Sequence, residues 1–144
     1  MKYITIIIFL SFLYAPSIKK DHKANNIRFE KLWNSILEVE SNKMHKRNGK
    51  IVVSHKGAIG IAQLMPNTFK DIIRWSKSDH LEHGDISNKY VNLWAGKWYF
   101  NYLYYDVFPR NPQWAVSGYN GGANNSGYMT TYVGKVYSNY RGLD

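Results

Sequence analysis

The chain has 144 residues, of which 44% are hydrophobic and 16% aromatic, so an intrinsically disordered protein is excluded and one domain with a real core is expected. It contains no cysteine, which excludes disulfides, a lipid-modified cysteine and a thiolate metal site. The net charge of +9 favours anionic partners. Outside one cluster at residues 19–23, however, the basic residues are scattered, so solvated surface charge explains most of them. Nucleic acid is therefore not predicted as a partner.

The first 17 residues have the pattern of a secretory signal. Met1-Lys2 gives a charged start, and residues 3–14 form an apolar stretch that is too short for a membrane span, which needs about 20 residues. Small residues precede a cut after Ser17; an uncleaved amphipathic anchor or a buried strand is the alternative. The pattern predicts export to the periplasm or cell envelope, with a polar linker over residues 18–27 and one domain over residues 28–144.

An amphipathic helix is predicted for about residues 29–44. Its apolar residues recur at helical spacing: Phe29, Leu32, Trp33, Ile36, Leu37 and Val39. At about 100° per residue, Glu40 lies in the middle of this apolar face, whereas Glu38 points the opposite way. Burial raises the pKa of a carboxyl group, and a carboxyl that stays protonated near neutral pH can act as a general acid. A core glutamate hydrogen-bonded to a buried partner would explain the position of Glu40 equally well.

The next segment combines a turn with a glycine-punctuated stretch. Asn48-Gly49 stands between basic residues and precedes β-branched ones, which indicates the tight turn of a small β-hairpin. Residues 57–66 read Gly-Ala-Ile-Gly-Ile-Ala-Gln-Leu-Met-Pro. The two glycines allow the backbone to approach a site closely, and the proline then interrupts the segment.

The remainder of the chain predicts a mainly helical fold. Helices are expected over about residues 67–76, 88–105, 112–119 and 128–140. Asn111-Pro112 is a cap and first-turn pair, and Gly121-Gly122 end the same helix, leaving Tyr119 and Asn120 at its end. Residues 80–85 contain metal-binding residue types, but a polar loop explains them better, and neither a metal nor a cofactor is predicted.

Three blocks together resemble the lytic transglycosylase (SLT) domain of lysozyme-like proteins. They are Glu40-Ser41, then Ser54 with Gln63-Leu64-Met65-Pro66-x-Thr68, then Gly118-Tyr119-Asn120-Gly121-Gly122, which is similar to the family's Ala-Tyr-Asn-Ala-Gly. They occur in the family's order, and the resemblance covers about residues 29–140. Ala62 departs from the methionine common before the glutamine, and two glycines replace alanines in the third block. The resemblance implies a single, mainly helical, lysozyme-like (α+β) domain with a small hairpin.

The resemblance also implies a reaction and a set of site residues. Glu40 would protonate the β-1,4 glycosidic oxygen between N-acetylmuramic acid and N-acetylglucosamine, then deprotonate the sugar's 6-hydroxyl to close a 1,6-anhydro ring. Residues implied in substrate binding are Ser54, Gln63, Met65, Tyr119, Asn120 and Tyr132, with Tyr119 orienting Glu40. The implied partner is the peptidoglycan glycan strand, in a setting such as secretion, conjugation, phage entry or wall turnover.

Three other functions stay open. A hydrolytic lysozyme (muramidase) is the first, because water can compete with the 6-hydroxyl if the cleft is open, although no second carboxyl that would activate this water can be placed opposite Glu40 from the sequence. A non-catalytic peptidoglycan-binding module would keep the aromatic residues and Gln63, but it would not need an acid on the buried face. A basic exported protein that binds nucleic acid or membrane is disfavoured by the scattered charge.

Overall fold

The computed structural model describes residues 25–124 and 127–142. The chain divides into two units, Met1–Lys31 and Leu32–Asp144. The predicted signal sequence over residues 1–17 lies outside the described residues, as does most of the predicted linker. Within the part that the structure describes, no helix is both long enough and apolar enough to span a membrane.

Helices make up most of the described chain. Helix α1 covers residues 25–41 and so includes the last three residues of the predicted linker. The other elements are strands β1 (Lys46–Arg47) and β2 (Lys50–Ile51) and helices α2 (Pro66–Ser76), α3 (Lys89–Tyr102), α4 (Pro112–Gly121) and α5 (Thr130–Arg141). A short 3-10 helix, His83–Ser87, precedes α3, and a π-helical turn, Leu103–Val107, follows it. The prediction of a mainly helical domain with a small hairpin is confirmed.

The hairpin forms where the Asn-Gly pair predicts it. Strands β1 and β2 pair antiparallel, and the turn residues Asn48 and Gly49 have φ angles of 52° and 76°. Two positive φ values in succession match the right-handed twist of the flanking strands, and Asn and Gly tolerate them best. Single antiparallel bridges, Val53 with Ile59 and Ile59 with Leu64, continue the pairing into the glycine-punctuated segment.

The core of the second unit includes the contact between α1 and α3 and also takes in residues of α2, α4 and α5. Leu32, Trp33 and Ile36 of α1 are buried, as the helical periodicity predicts. The Trp33 ring stacks on Phe100 of α3 at a centroid distance of 6.2 Å. A Cβ atom at Gly96 would lie 2.5 Å from the Ala62 Cβ, so only glycine lets α3 come this close to the glycine-punctuated segment.

Two helix ends follow local capping rules, and one predicted helix ends earlier than expected. Asn111 accepts the Trp114 N–H at 3.3 Å, which confirms it as the cap of α4. The segment at residues 80–85 enters the 3-10 helix, where the backbone N–H of Glu82 donates to the Asp85 carboxylate at 2.8 Å. The predicted helix over residues 88–105 is shorter, because after Tyr102 the chain widens into the π-helical turn, closed by Phe108 N–H donating to the Leu103 carbonyl at 2.9 Å.

Candidate active site

Glu40 lies in the last turn of α1, on the same side as the buried residues of that helix. Its side chain is largely removed from solvent, and this burial raises the pKa of the carboxyl above its ordinary value of 4.5. Glu38 has a different environment. Its carboxylate pairs with the Lys43 ammonium at 3.4 Å and its side chain is 39% exposed. The two acids therefore differ in burial as the helix-face prediction requires.

The partner of Glu40 is Tyr132 of α5. The Tyr132 hydroxyl donates to Glu40 Oε1 at 2.6 Å, across 92 positions of sequence. This hydrogen bond favours the ionised carboxylate and so lowers the pKa of Glu40, but burial is the larger influence. Burial, followed by the neighbouring Glu40 charge, holds the pKa of Tyr132 well above its ordinary value of 10.0. Tyr132 therefore remains a hydrogen-bond donor over the whole physiological pH range.

Tyr119 has another role in the structure than the one the resemblance implies. Its hydroxyl donates to the Ala62 carbonyl at 2.9 Å, and the hydrogen bond to Glu40 comes from Tyr132 instead. The Tyr119 ring packs edge-on against Trp33 at 5.9 Å, and burial raises the pKa of its hydroxyl well above the ordinary value. The expectation that Tyr119 orients Glu40 is thus corrected: Tyr119 holds the glycine-punctuated segment in place beside the acid.

Asn92 of α3 is the main anchor of that segment. Its fully buried side chain donates to the carbonyls of Ile59 and Ile86 at 2.9 and 3.0 Å and accepts the Ala62 N–H at 2.9 Å. Gly60 has a φ of +78°, and a Cβ atom there would lie 2.7 Å from the Asn92 amide group. The glycine is therefore required both for the backbone conformation and for this close approach.

Two further side chains tie the segment down. The Ser41 hydroxyl, next to the acid in sequence, donates to the Ile61 carbonyl at 2.7 Å. The buried His45 ring contacts the Ser87 carbonyl through Nε2 at 2.9 Å and accepts the Ile61 N–H at Nδ1 at 3.3 Å. Because the carbonyl can only accept, Nε2 carries the ring proton.

A cleft of about 540 Å³ opens beside Glu40. Six of the seven predicted site residues line it, and the seventh, Tyr132, supports Glu40 from α5. The lining residues are Glu40, Ser54, His55, Lys56, Ala58, Gln63, Leu64, Met65, Thr68, Tyr99, Tyr119, Asn120, Gly121 and Gly122. Among these, Glu40 is the only acidic side chain.

Three of the predicted binding residues also shape the cleft wall. Ser54 Oγ accepts the Ala58 N–H at 3.0 Å and so fixes the turn between them. Gln63 has a φ of 48° and donates its amide to the Gly60 carbonyl at 2.8 Å. Met65 is 42% exposed at the start of α2, which leaves its thioether side chain open to contact with a ligand.

A second cavity, of about 500 Å³, adjoins the cleft and shares four wall residues with it: Thr68, Tyr99, Gly121 and Gly122. It adds Asp71 and Trp75 of α2 to the wall. The Asp71 carboxylate is 3.1 Å from the Arg74 guanidinium, so its charge is already paired. The cavity and the cleft are therefore neighbours along the wall that these four residues form.

Sequence reasoning missed several residues around the cleft. No site role is predicted from the sequence for Asn92, Tyr99, His45, His55 or Lys56. A buried polar residue in the apolar face of a helix, as Asn92 is in α3, was the available signal for the anchor. Among the described residues, no group of three His, Cys, Asp or Glu side chains could hold a metal ion.

Comparison with known protein families gives one match. The family model described as the transglycosylase SLT domain matches residues 17–139, a range that contains every residue of the cleft. Comparisons with curated proteins and with solved structures give no match.

Proposed function

Because the chain belongs to the transglycosylase SLT domain family, whose fold is lysozyme-like and whose activity is related to peptidoglycan, we propose that it is an exported lytic transglycosylase. It cleaves the β-1,4 bond between N-acetylmuramic acid and N-acetylglucosamine and leaves a 1,6-anhydromuramic acid end. The observation that carries this proposal is the single acid of the cleft, Glu40, whose pKa is raised by burial.

In the first step Glu40 acts as the general acid. It donates its proton to the glycosidic oxygen as the bond to C1 of N-acetylmuramic acid breaks, and the acetamido oxygen of the same sugar attacks C1. Substrate assistance of this kind replaces the second carboxylate that most glycosidases use. Tyr132 already occupies Oε1 as a donor, so the transferable proton is left to Oε2. The same hydrogen bond stabilises the carboxylate that forms as the proton leaves.

In the second step Glu40 acts as the general base. Its carboxylate takes the proton of the 6-hydroxyl, whose oxygen attacks C1 and displaces the acetamido oxygen. The anhydro ring closes, no water is consumed and Glu40 returns to its protonated form. The 6-hydroxyl belongs to the reacting sugar and therefore has a high effective concentration at C1 compared with water.

The other residues of the cleft bind the strand. Ser54, Gln63 and Asn120 offer polar groups for the edges of sugar rings, and Met65 and Tyr119 supply apolar surface for their faces. No cofactor takes part in the proposed reaction. Export to the periplasm or cell envelope brings the enzyme to its substrate, and its setting is local wall opening for secretion, conjugation or phage entry, or wall turnover.

The product decides between this proposal and hydrolysis. Purified peptidoglycan is digested with the protein, and the muropeptides are weighed by mass spectrometry. An intramolecular reaction gives anhydromuramic acid ends that are lighter than reducing ends by one water, and Glu40→Gln gives neither. Predominantly reducing muramic acid ends would reassign the protein as a muramidase, and binding without cleavage would reassign it as a peptidoglycan-binding module.

A further inference from the structure

His55 and Lys56 are held at the tip of a tight turn in the cleft wall. Three hydrogen bonds close this turn: Gly57 N–H to the Ser54 carbonyl at 2.9 Å, Ser54 N–H to the Ala58 carbonyl at 2.9 Å, and Ala58 N–H to Ser54 Oγ at 3.0 Å. Gly57 allows the turn through its φ of +87°. Both side chains at the tip are exposed, and both line the cleft. The turn therefore presents two basic side chains to any strand that enters.

The ammonium group of Lys56 has no carboxylate partner within the part of the chain that the structure describes. The ion pairs there join Lys43 to Glu38 and Arg74 to Asp71. From Ser41 to Lys70 the sequence contains no aspartate or glutamate at all. The cleft wall built from this stretch is thus positively charged, and burial raises the pKa of Glu40, the acidic side chain among the residues that line the cleft.

Recognition of sugars does not explain a cation at this place. In a peptide-bearing strand the lactyl carboxyl of N-acetylmuramic acid is bound in an amide, so the sugars are neutral and the negative charge of purified peptidoglycan is on the carboxylates of the attached peptides. An exposed ammonium beside the cleft adds affinity only where it meets such an anion.

We propose that Lys56 binds a carboxylate of the peptide substituent, so that the cleft prefers strands whose peptides carry free carboxylates over strands in which these are amidated. This inference rests on the proposed function, because it takes the glycan strand as the occupant of the cleft. An exposed ion pair of this kind changes affinity about two- to fivefold and weakens as salt is added. Lys56 is a binding residue, and the proton transfers remain with Glu40.

The test compares two substrates and two matched variants. One substrate is purified peptidoglycan freed of phosphate polymers, so that peptide carboxylates are its only anions, and the other is the same peptidoglycan after its carboxylates have been converted to neutral amides with a carbodiimide and ammonium chloride. The variants are Lys56→Gln and Lys50→Gln; Lys50 is exposed on β2 and does not line the cleft. For wild type, kcat/KM is expected to be higher on the peptidoglycan with free carboxylates. Lys56→Gln lowers the ratio of the two kcat/KM values about two- to fivefold through KM, Lys56→Arg restores it, and Lys50→Gln leaves it as in wild type.

An unchanged ratio in Lys56→Gln would overturn the inference, because Lys56 would then not contact the carboxylates. An equal fall in Lys50→Gln would also overturn it, because the effect would then be a general attraction between the positive protein and the negative polymer. If wild type cleaves neither substrate, the proposed function fails, and cosedimentation with the two insoluble polymers then decides this inference by itself. Retention that is about two- to fivefold stronger on the polymer with free carboxylates, with a difference that Lys56→Gln removes, supports it. Equal retention on both polymers contradicts it.

Discussion

Replacing Tyr132 by phenylalanine removes one hydroxyl and, with it, the 2.6 Å hydrogen bond to Glu40 Oε1. We expect the variant to fold, because the ring that packs against the core remains. Two changes in catalysis follow. The rate falls because the carboxylate that forms during proton transfer loses its donor. The pKa of Glu40 rises further, because the Tyr132 hydrogen bond opposes the effect of burial.

The size of the rate effect follows from the difference between two hydrogen bonds. A hydrogen bond to a charged group contributes about 1.5–3 kcal/mol, and one between neutral groups contributes about 0.5–1.5 kcal/mol. Tyr132 donates to a neutral carboxyl before proton transfer and to a carboxylate after it. The selective stabilisation is therefore about 1–1.5 kcal/mol, which corresponds to an about five- to thirteenfold lower kcat at 25 °C.

The assay is the release of anhydromuropeptides from purified peptidoglycan as a function of pH. Activity is lost at alkaline pH when Glu40 no longer holds its proton, so the alkaline limb of the Tyr132→Phe profile should move to higher pH. Tyr128→Phe is the matched control, since the Tyr128 hydroxyl donates only to Gln113 Oε1, at 3.4 Å, on the exposed surface. A Tyr132→Phe profile that superimposes on that of wild type in both rate and pH would refute the role assigned to this hydrogen bond.

Three further predictions follow from the same contacts. Glu40→Gln should abolish cleavage. Glu38→Gln should keep near wild-type activity, because it loses only the exposed 3.4 Å ion pair between Glu38 and Lys43. An active Glu40→Gln beside an inactive Glu38→Gln would reverse the assignment of the acid. Burial raises the pKa of Glu40 in the folded state above its ordinary value of 4.5. Below that pH this shift does not change the free energy of unfolding, and as the pH rises towards the folded-state pKa it lowers that free energy increasingly. Glu40→Gln should therefore be more stable than wild type in urea unfolding at about pH 7 and lose this advantage at about pH 4, and an advantage that is the same at both would contradict the cause. Asn92→Ala leaves an N–H and two carbonyls without their buried partner, which should lower the free energy of unfolding by about 3 kcal/mol or more, whereas a loss of less than about 1 kcal/mol would show that the anchor is dispensable.

Much of the fold could be predicted because it rests on local rules. The Asn48-Gly49 turn, the Asn111 cap of α4 and the buried face of α1 each depend on residues within a few positions of one another. The π-helical turn after Tyr102 could not be predicted in this way. Its wider hydrogen-bond pattern competes closely with the α-helical one, and packing in the finished domain decides between them.

The candidate site was predicted as a set of residues, and its geometry was not. Helical periodicity placed Glu40 on a buried face and Glu38 on the other, but it said nothing about what would meet the acid there. The hydroxyl that does so belongs to Tyr132, while Tyr119, the residue expected in that position, donates to Ala62. Either tyrosine could reach the acid as far as sequence shows, because the choice depends on how α4 and α5 pack against α1.

The sequence by itself determined which residue types are available and where local structure begins and ends. It supplied one acid on an apolar helix face, glycines at positions that need a positive φ, and a stretch from Ser41 to Lys70 without a carboxylate. Only the tertiary structure decided that this stretch lines a cleft together with Glu40, that Asn92 anchors the stretch and that Tyr132 donates a hydrogen bond to the acid. The physical reason is the sequence distance over which each interaction acts. Backbone conformation responds to neighbours within a few residues. Burial of Glu40, the pKa shift that follows from it and the hydrogen bond across 92 positions form only when distant helices have packed.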